Sequence, residues 1–450
     1  MGCSVSRACP VALAAGARPD SVALIFQGRS WSWAEADREV SAFAASLEVQ
    51  AGDRVAVRSW NCPELAWLFF ASSRRGAVFA PLNARLTRHE LAPLLERLDA
   101  KVSFGDLPGA RPLRSSRAQS KELFVDHDVA AALFTSGTTG AAKLVELTHA
   151  NFTASAQANA ERIGGEPTQR WLGTLPLFHV GGLAMLYRCA LYGSSIALEA
   201  SFDAERACAA MDEGVTHVSL VPTMLERVLE VRGARPFTGV KAALIGGGPM
   251  TSSTLQRART AGLPVLQTYG LTEACSQVTT EVPDEADGLT AGRAIPGVEV
   301  RITQPDETGV GEIEVRGPTV AKSLGPWLKT KDLGLLDSRG RLTVRSRRMD
   351  LILTGGENVY PAEVEAVLRE HPSIQDVAVI ARGDAEWGQV PVAVVVAAAF
   401  DATAVTAWAR ERLAAYKLPR AWIVVDALPR NATGKIDRPS LLRLSDARPT

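Results

Sequence analysis

The chain has 450 residues, 46% of them apolar and 22% charged, a globular balance that excludes disordered, collagen-like and fibrous classes. Its 49 Lys and Arg match 49 Asp and Glu, so no whole-molecule field draws nucleic acid, an anionic membrane or another polyanion; a charged ligand must be bound locally. The six cysteines and six histidines are scattered without metal-ligand spacing, which points away from structural zinc and toward a reducing compartment.

Strand-like and helix-like stretches alternate along most of the length, the mark of α/β layers. Ala23 to Phe26 and Trp31 to Trp33 read as short strands, followed by a helix over Ala34 to Leu47 in which Ala36, Val40, Phe43 and Leu47 recur at helical spacing. Arg54 to Ser59 is a strand candidate, and Pro63 opens a helix carrying Leu65, Leu68 and Phe69. Residues 107–122 combine Pro, Gly, Ser and basic side chains without periodicity and read as a solvated loop. No apolar run approaches the ~18 residues that cross a bilayer, so a cytoplasmic protein without membrane association is expected.

Further on, the β-branched run Thr216 to Val221 leads into a helix at Pro222, and Lys241 to Ile245 leads into Gly246, Gly247, Gly248 and Pro249. A strand ending in glycines at the carboxyl edge of a sheet is where α/β proteins bind ligands. After Val298 the pattern changes to short strands with turns, a β-rich subdomain. The last ~100 residues supply their own core, with a helix over Pro361 to Arg369, strands at Ile374 to Ile380 and Val390 to Ala398, and a helix over Ala404 to Leu413. The expected fold is therefore α/β: a large domain of layered α/β subdomains plus a β-rich subdomain over residues 1–347, then a small α+β domain over 348–450.

The strongest local signal is Thr135-Ser136-Gly137-Thr138-Thr139-Gly140 followed by Lys143. Glycines free the backbone to approach a ligand, the hydroxyls donate hydrogen bonds, and the lysine adds charge, a combination suited to a phosphate chain. It lacks the G-x-x-x-x-G-K-[ST] spacing of a P-loop, and its flanks read as two strands, so it would sit at a hairpin tip. A second segment, Gln267 to Glu273 just after the strand Pro264 to Leu266, offers the Tyr269 face for a base, the Thr272 hydroxyl for phosphate and the Glu273 oxygen for Mg²⁺. His179 in Pro176 to Gly182, a lone histidine after an apolar run, reads by itself more readily as a packed core histidine than as a functional one. Asp332 and Arg347 form an acid and base suited to ribose hydroxyls, against the ordinary reading of a solvated charge run. Lys435 stands alone in the polar loop Pro429 to Ile436.

In identity and order these segments, from about Trp33 to Ile436, resemble the adenylate-forming superfamily of acyl-CoA and aryl-CoA synthetases, luciferases and adenylation domains. The resemblance implies an AMP-forming acid–thiol ligase using ATP, Mg²⁺ and CoA. On that basis the Thr135 to Lys143 loop covers the ATP phosphates, with Thr138 counted among the catalytic groups. Gly246 to Pro249, Tyr269 and Gly270 hold adenine, Thr272 and Glu273 meet the α-phosphate and Mg²⁺, and Asp332 and Arg347 bind ribose. His179 and Gly181 line the acid pocket. Lys435 comes from a mobile C-terminal domain to bridge carboxylate and phosphate, and Gly355 to Asn358 resembles the loop beside the pantetheine tunnel. Two departures stand out: Lys331 replaces the glycine usual before Asp332, and Ser346 the glycine usual before Arg347. The hinge would fall at Arg348-Met349-Asp350.

Within the superfamily, Leu175 to His179, Val221 to Leu225, Ile245 to Pro249 and Gln267 to Gln277 look most like the o-succinylbenzoate–CoA ligases of menaquinone synthesis. That acid carries a second carboxylate, and Arg188 sits where those ligases place a basic residue, although a surface arginine is the competing reading. A ligase for another aryl or short-chain acid, or an enzyme loading a carrier protein, remains an alternative, and the oligomeric state is left open, a homo-oligomer included. From Arg410 onward nine Lys and Arg face four Asp and Glu, so the neutral total hides a basic segment around Lys435.

Overall fold

The computed structural model describes residues 9–114, 128–135, 142–248, 250–346, 351–429 and 436–446. It divides into two compact units, one of Met1–Ala84, Leu98–Leu133 and Leu144–Ser346, the other of Arg85–Arg97, Phe134–Lys143 and Arg347–Thr450.

Among the described residues the first unit contains a nine-stranded sheet whose order runs Arg293–Ala294, Ser276–Thr280, Val265–Leu271, Ala242–Ile245, His217–Leu220, Arg170–Gly173, Ser195–Leu198, Val22–Phe26, Arg29–Ser32. Its middle strands are parallel and its margins antiparallel. A five-stranded sheet centred on Arg54–Arg58 and Val78–Leu82 and a four-stranded antiparallel sheet from Glu299–Thr303 to Leu342–Ser346 complete the expected α/β and β-rich parts. Burial explains the sequence pattern: the helix Pro63–Arg74 is buried on nearly every position, and its Phe69 meets Phe79, Phe152 and Tyr187 at ring distances of 5.3, 5.8 and 6.3 Å. Tyr187 is thereby anchored, with its hydroxyl 3.0 Å from Thr153 Oγ1, and it fixes the helix Val180–Tyr192 that carries Arg188.

Two expectations at element boundaries change. Trp33 is not a strand residue but the first residue of the helix Trp33–Ser46, because Ser32 Oγ accepts from Glu35 N–H and the Glu35 carboxylate accepts from Ser32 N–H. That reciprocal cap outweighs the β propensity of the tryptophan. Gln267 to Leu271 do not follow the strand but continue it, since Ser276–Thr280 returns alongside and extends the pairing to Leu271.

The second unit has a five-stranded sheet in which Gly388–Val396 lies between Asp376–Asp384 and Ile352–Thr354 and also pairs in parallel with Ala421–Val424. The helix Pro361–Arg369 has the bounds expected from its leading proline, whereas Ala402–Arg410 starts earlier because Asp401 accepts from Thr403 and Ala404 N–H. No helix among the described residues is long and apolar enough to cross a membrane.

Candidate active site

Parallel strands set the first cluster of site residues side by side. Leu220, Ile245 and Gln267 are in register, so the turns that follow Leu220 and Ile245 emerge together beside the strand that runs on from Gln267 to Leu271. Gly246 has to lack a side chain: a Cβ there would lie 2.7 Å from Thr268 Cγ2 and 2.9 Å from Thr268 O. Gly247 adopts φ +83°, which turns the chain away from the strand. Of the expected adenine-turn glycines, Gly246 thus lies against the strand bearing Tyr269 and Gly247 faces Val221, with Gly248 next in the turn, while Pro249 lies outside the described residues.

Tyr269 is 3% exposed and donates its hydroxyl to Asp332 Oδ2 at 2.6 Å. This bond joins the motif expected to hold the base to the acid expected to bind ribose, residues 63 apart in the chain. Asp332 is itself braced: its N–H donates to Thr330 Oγ1, and Thr330 Oγ1 donates to Ile313 O. Between them Lys331 takes φ +63°, the left-handed conformation that glycine adopts most readily. The departure is therefore accommodated without moving Asp332 from Tyr269. Gly270 permits the close return of the next strand, since a Cβ would lie 1.6 Å from Ser276 O.

Thr272 and Glu273 lie on the 3₁₀ turn Thr272–Ala274, and Ala321 N–H donates to Glu273 O at 2.9 Å. The turn ends in two successive left-handed residues, Cys275 at φ +50° and Ser276 at φ +85°, a local backbone strain beside Glu273. Among the described residues there is no group of three or more His, Cys, Asp or Glu able to hold a metal by itself. A single half-buried carboxylate instead suits an ion such as Mg²⁺, which keeps waters and takes further ligands from phosphate.

His179 is half-buried at the start of the helix Val180–Tyr192, its ring against Phe178 at 4.8 Å. The segment leading to it is held by Asn61, whose Oδ1 accepts from Leu177 N–H at 2.8 Å and whose Nδ2 donates to Leu175 O and Glu199 O, both at 3.1 Å. Gly181 lies in the same first turn, where a Cβ would sit 3.3 Å from Leu175 Cδ1. Asn61 carries no motif of its own; only the fold reveals its part.

Arg188 is not a surface arginine: it is 2% exposed. Nor is it brought to His179. Nine residues separate them on one helix, roughly half a turn around and about 13 Å along. Its Nη2 instead donates to Gln277 Oε1 at 3.1 Å, and the guanidinium lies 5.0 Å from the centre of the Trp171 ring. Nε and Nη1 have no hydrogen-bond partner among the described residues. Burial holds the group below its ordinary value, and pushes the adjoining Cys189 thiol up to about 12. His217, whose ring packs 5.0 Å from Trp171, is lowered to about 4, by burial first. Gln277 carried no assigned role in the sequence, although it stood within a family-like stretch.

Thr135 ends the strand Val129–Thr135 and Lys143 begins Lys143–Thr148, the expected strand flanks of the Thr135 to Lys143 loop, with Thr135 Oγ1 donating to Lys143 O at 3.5 Å. Ser136, Gly137, Thr138, Thr139 and Gly140, and likewise Arg347, the hinge Arg348 to Asp350 and Lys435, lie outside the described residues. Gly355 and Gly356 turn between Ile352–Thr354 and Glu357–Val359 at φ +56° and +85°.

Comparison with known proteins adds the wider frame. The family model for AMP-binding enzymes matches residues 11–324, and that for the AMP-binding enzyme C-terminal domain matches residues 363–435. The chain is similar to a 2-succinylbenzoate–CoA ligase of Listeria monocytogenes, 35% identical over 454 residues that cover 94% of this chain and 96% of that protein. Among solved structures, a double mutant of o-succinylbenzoate CoA synthetase from Bacillus subtilis bound to the product analogue OSB-NCoA matches at TM-score 0.90, 34% identity, 96% of this chain and 98% of that one. The Bacillus subtilis synthetase in complex with ATP and magnesium matches at TM-score 0.70, 33% identity, 96% and 99%.

Proposed function

The chain belongs to the AMP-binding enzyme family and is an adenylate-forming acid–CoA ligase, and from that premise we propose that its acid is o-succinylbenzoate. The observation that carries the choice of acid is Arg188, a buried guanidinium without a carboxylate partner among the described residues. A dicarboxylic acid supplies the missing anion with its second carboxylate. The similarity to succinylbenzoate ligases over nearly the whole chain supports the same substrate.

On this reading the first step joins the acid's carboxylate oxygen to the α-phosphorus of ATP and releases pyrophosphate. In the second, the CoA thiolate attacks the acyl carbon and AMP leaves. Tyr269 and Asp332, locked to one another, hold the nucleoside with Gly246 and Gly247 at the carboxyl edge of the sheet. Thr272 and Lys143 face phosphate oxygens. Glu273 would hold Mg²⁺, which when bound neutralises phosphate charge. Lys435, from a C-terminal domain spanning 348–450, is the cation that bridges carboxylate and phosphate during adenylation. Arg188 orients the acid from the Gln277 side, away from His179.

A panel of aromatic and short-chain acids, scored by pyrophosphate release with and without CoA, tests the reading. o-Succinylbenzoate is expected to give the highest kcat/KM and a CoA thioester. A monocarboxylic acid preferred over it, or no thioester with free CoA, would overturn it. Lys435→Ala should slow adenylation by about 10²-fold or more and spare thioester formation from preformed acyl-adenylate.

A further inference from the structure

The charge of Arg188 is kept for a ligand by the groups that surround it. Its one side-chain hydrogen-bond partner among the described residues is an amide, Gln277. Burial keeps the neighbouring thiols of Cys189 and Cys275 and the Tyr192 hydroxyl protonated at physiological pH, so none supplies a negative charge. Trp171 contributes only the face of its ring.

The amide is held in one orientation. Gln277 Oε1 also accepts from Asn159 Nδ2 at 3.0 Å, and Gln277 Nε2 donates to Thr280 Oγ1 at 2.9 Å. Rotating the amide by half a turn would set its NH₂ against two donors, Arg188 and Asn159, and its oxygen against Thr280. Both Gln277 and Asn159 are buried, so water does not relieve such a flip. Gln277 also lies opposite Gly270 in the strand pairing, one strand from Tyr269, which fixes the guanidinium relative to the nucleotide motif.

We infer that Gln277 is a positioning residue that sets specificity for a dicarboxylic acid: a neutral acceptor that orients the Arg188 guanidinium without neutralising it, leaving Nε and Nη1 to the substrate's second carboxylate. The inference rests on the proposed role of Arg188. It explains why an amide stands where a carboxylate would satisfy the buried cation better. A glutamate at this position would make a buried ion pair, and the site would lose its attraction for a second anion.

The test compares full-length wild type, Gln277→Glu and Arg188→Met with o-succinylbenzoate, with two analogues that each lack one carboxylate (2-propanoylbenzoate and 4-oxo-4-phenylbutanoate), and with ATP. Gln277→Glu is expected to raise KM for the dicarboxylic acid by about 30-fold or more while KM for the analogues and for ATP moves less than about twofold. Its thermal midpoint should stay level or rise, an outcome that loss of a purely structural hydrogen bond would not produce. If Arg188→Met abolishes discrimination against the analogues but Gln277→Glu retains it, the role of Gln277 is overturned and that of Arg188 stands. If both variants retain discrimination, the Arg188 reading falls and this one with it. Should Gln277→Glu fail to fold, Gln277→Met removes the acceptor at similar length and is expected to weaken the same discrimination; unchanged discrimination there overturns the inference.

Discussion

Two buried cations, one in each unit, are treated in opposite ways. Lys417, 4% exposed, places Nζ 2.6 Å from Glu90 Oε1 and 2.6 Å from Glu363 Oε1. Glu90 is further braced by the Thr87 N–H and hydroxyl, both 2.9 Å from its other oxygen. Burial pulls the lysine's pKa down, yet the two carboxylates together hold it above its ordinary value. Arg188 is at least as buried, and its side-chain hydrogen-bond partner among the described residues is an amide rather than a carboxylate. A cation that serves the fold is compensated within the fold; one left uncompensated has its partner elsewhere.

Removing each cation should separate the two cases most strongly. Lys417→Met leaves Glu90 and Glu363 facing one another in a dry site and is expected to destabilise the full chain by about 3–5 kcal/mol in urea unfolding. Arg188→Met removes a desolvated charge with no counter-charge and should change stability by no more than about 1 kcal/mol in either direction. Equal losses would erase the distinction. The pair also differs in pH: the contribution of Lys417 is fully present below its ordinary 10.5 and is lost as pH rises through its higher folded value. No such alkaline loss should survive in Lys417→Met.

The acid limb tests the Arg188 side. His217 is held neutral to about pH 4, by burial first, with Lys241 and Arg188 opposing its protonation. Its folded value is below the ordinary 6.5, so the unfolded chain binds the proton more readily between those limits. Stability is therefore complete above pH 6.5 and falls by about 3 kcal/mol as pH drops toward 4. His217→Gln should flatten that limb of a pH series of unfolding midpoints, and Arg188→Met, which removes a charge opposing protonation and so raises the folded value, should make the limb slightly shallower and end it at a higher pH. An unchanged limb in His217→Gln would assign the acid loss to other groups.

Much of the fold and of the nucleotide site is legible in the order of residues alone. Leading prolines at 63, 222 and 361 mark helix starts because a missing N–H costs nothing there, and the glycines of Gly246-Gly247 mark a backbone approach that the strand edge bears out. What stays hidden are contacts between residues far apart in the chain: Asn61 to Leu175 across 114 positions, Arg188 to Gln277 across 89, Lys417 to Glu90 across 327. No local period encodes such pairs. Arg188 does leave a trace. The helix around it is apolar on almost all sides, and such a helix is buried all round, so a surface arginine has no surface to occupy.

The smallest expected effect concerns strain rather than charge. Lys331 holds a left-handed conformation beside Asp332, in a strand whose pairing shifts between Leu333 and Gly334. Its side chain is exposed, so substitution sacrifices no packing. The left-handed backbone costs a non-glycine residue about 1–2 kcal/mol. Glycine recovers that cost but gives back roughly 0.5–1 kcal/mol through the greater freedom of its unfolded chain. Lys331→Gly is thus expected to stabilise the protein by about 0.5–1 kcal/mol, while Lys331→Ala, which keeps a Cβ in the same conformation, should gain nothing. If Thr330, Asp332 and Tyr269 hold their bonds as the structure has them, KM for ATP will be the same in both variants. A changed KM would mean that Lys331 reaches the nucleotide, and the local strain would then have a function of its own.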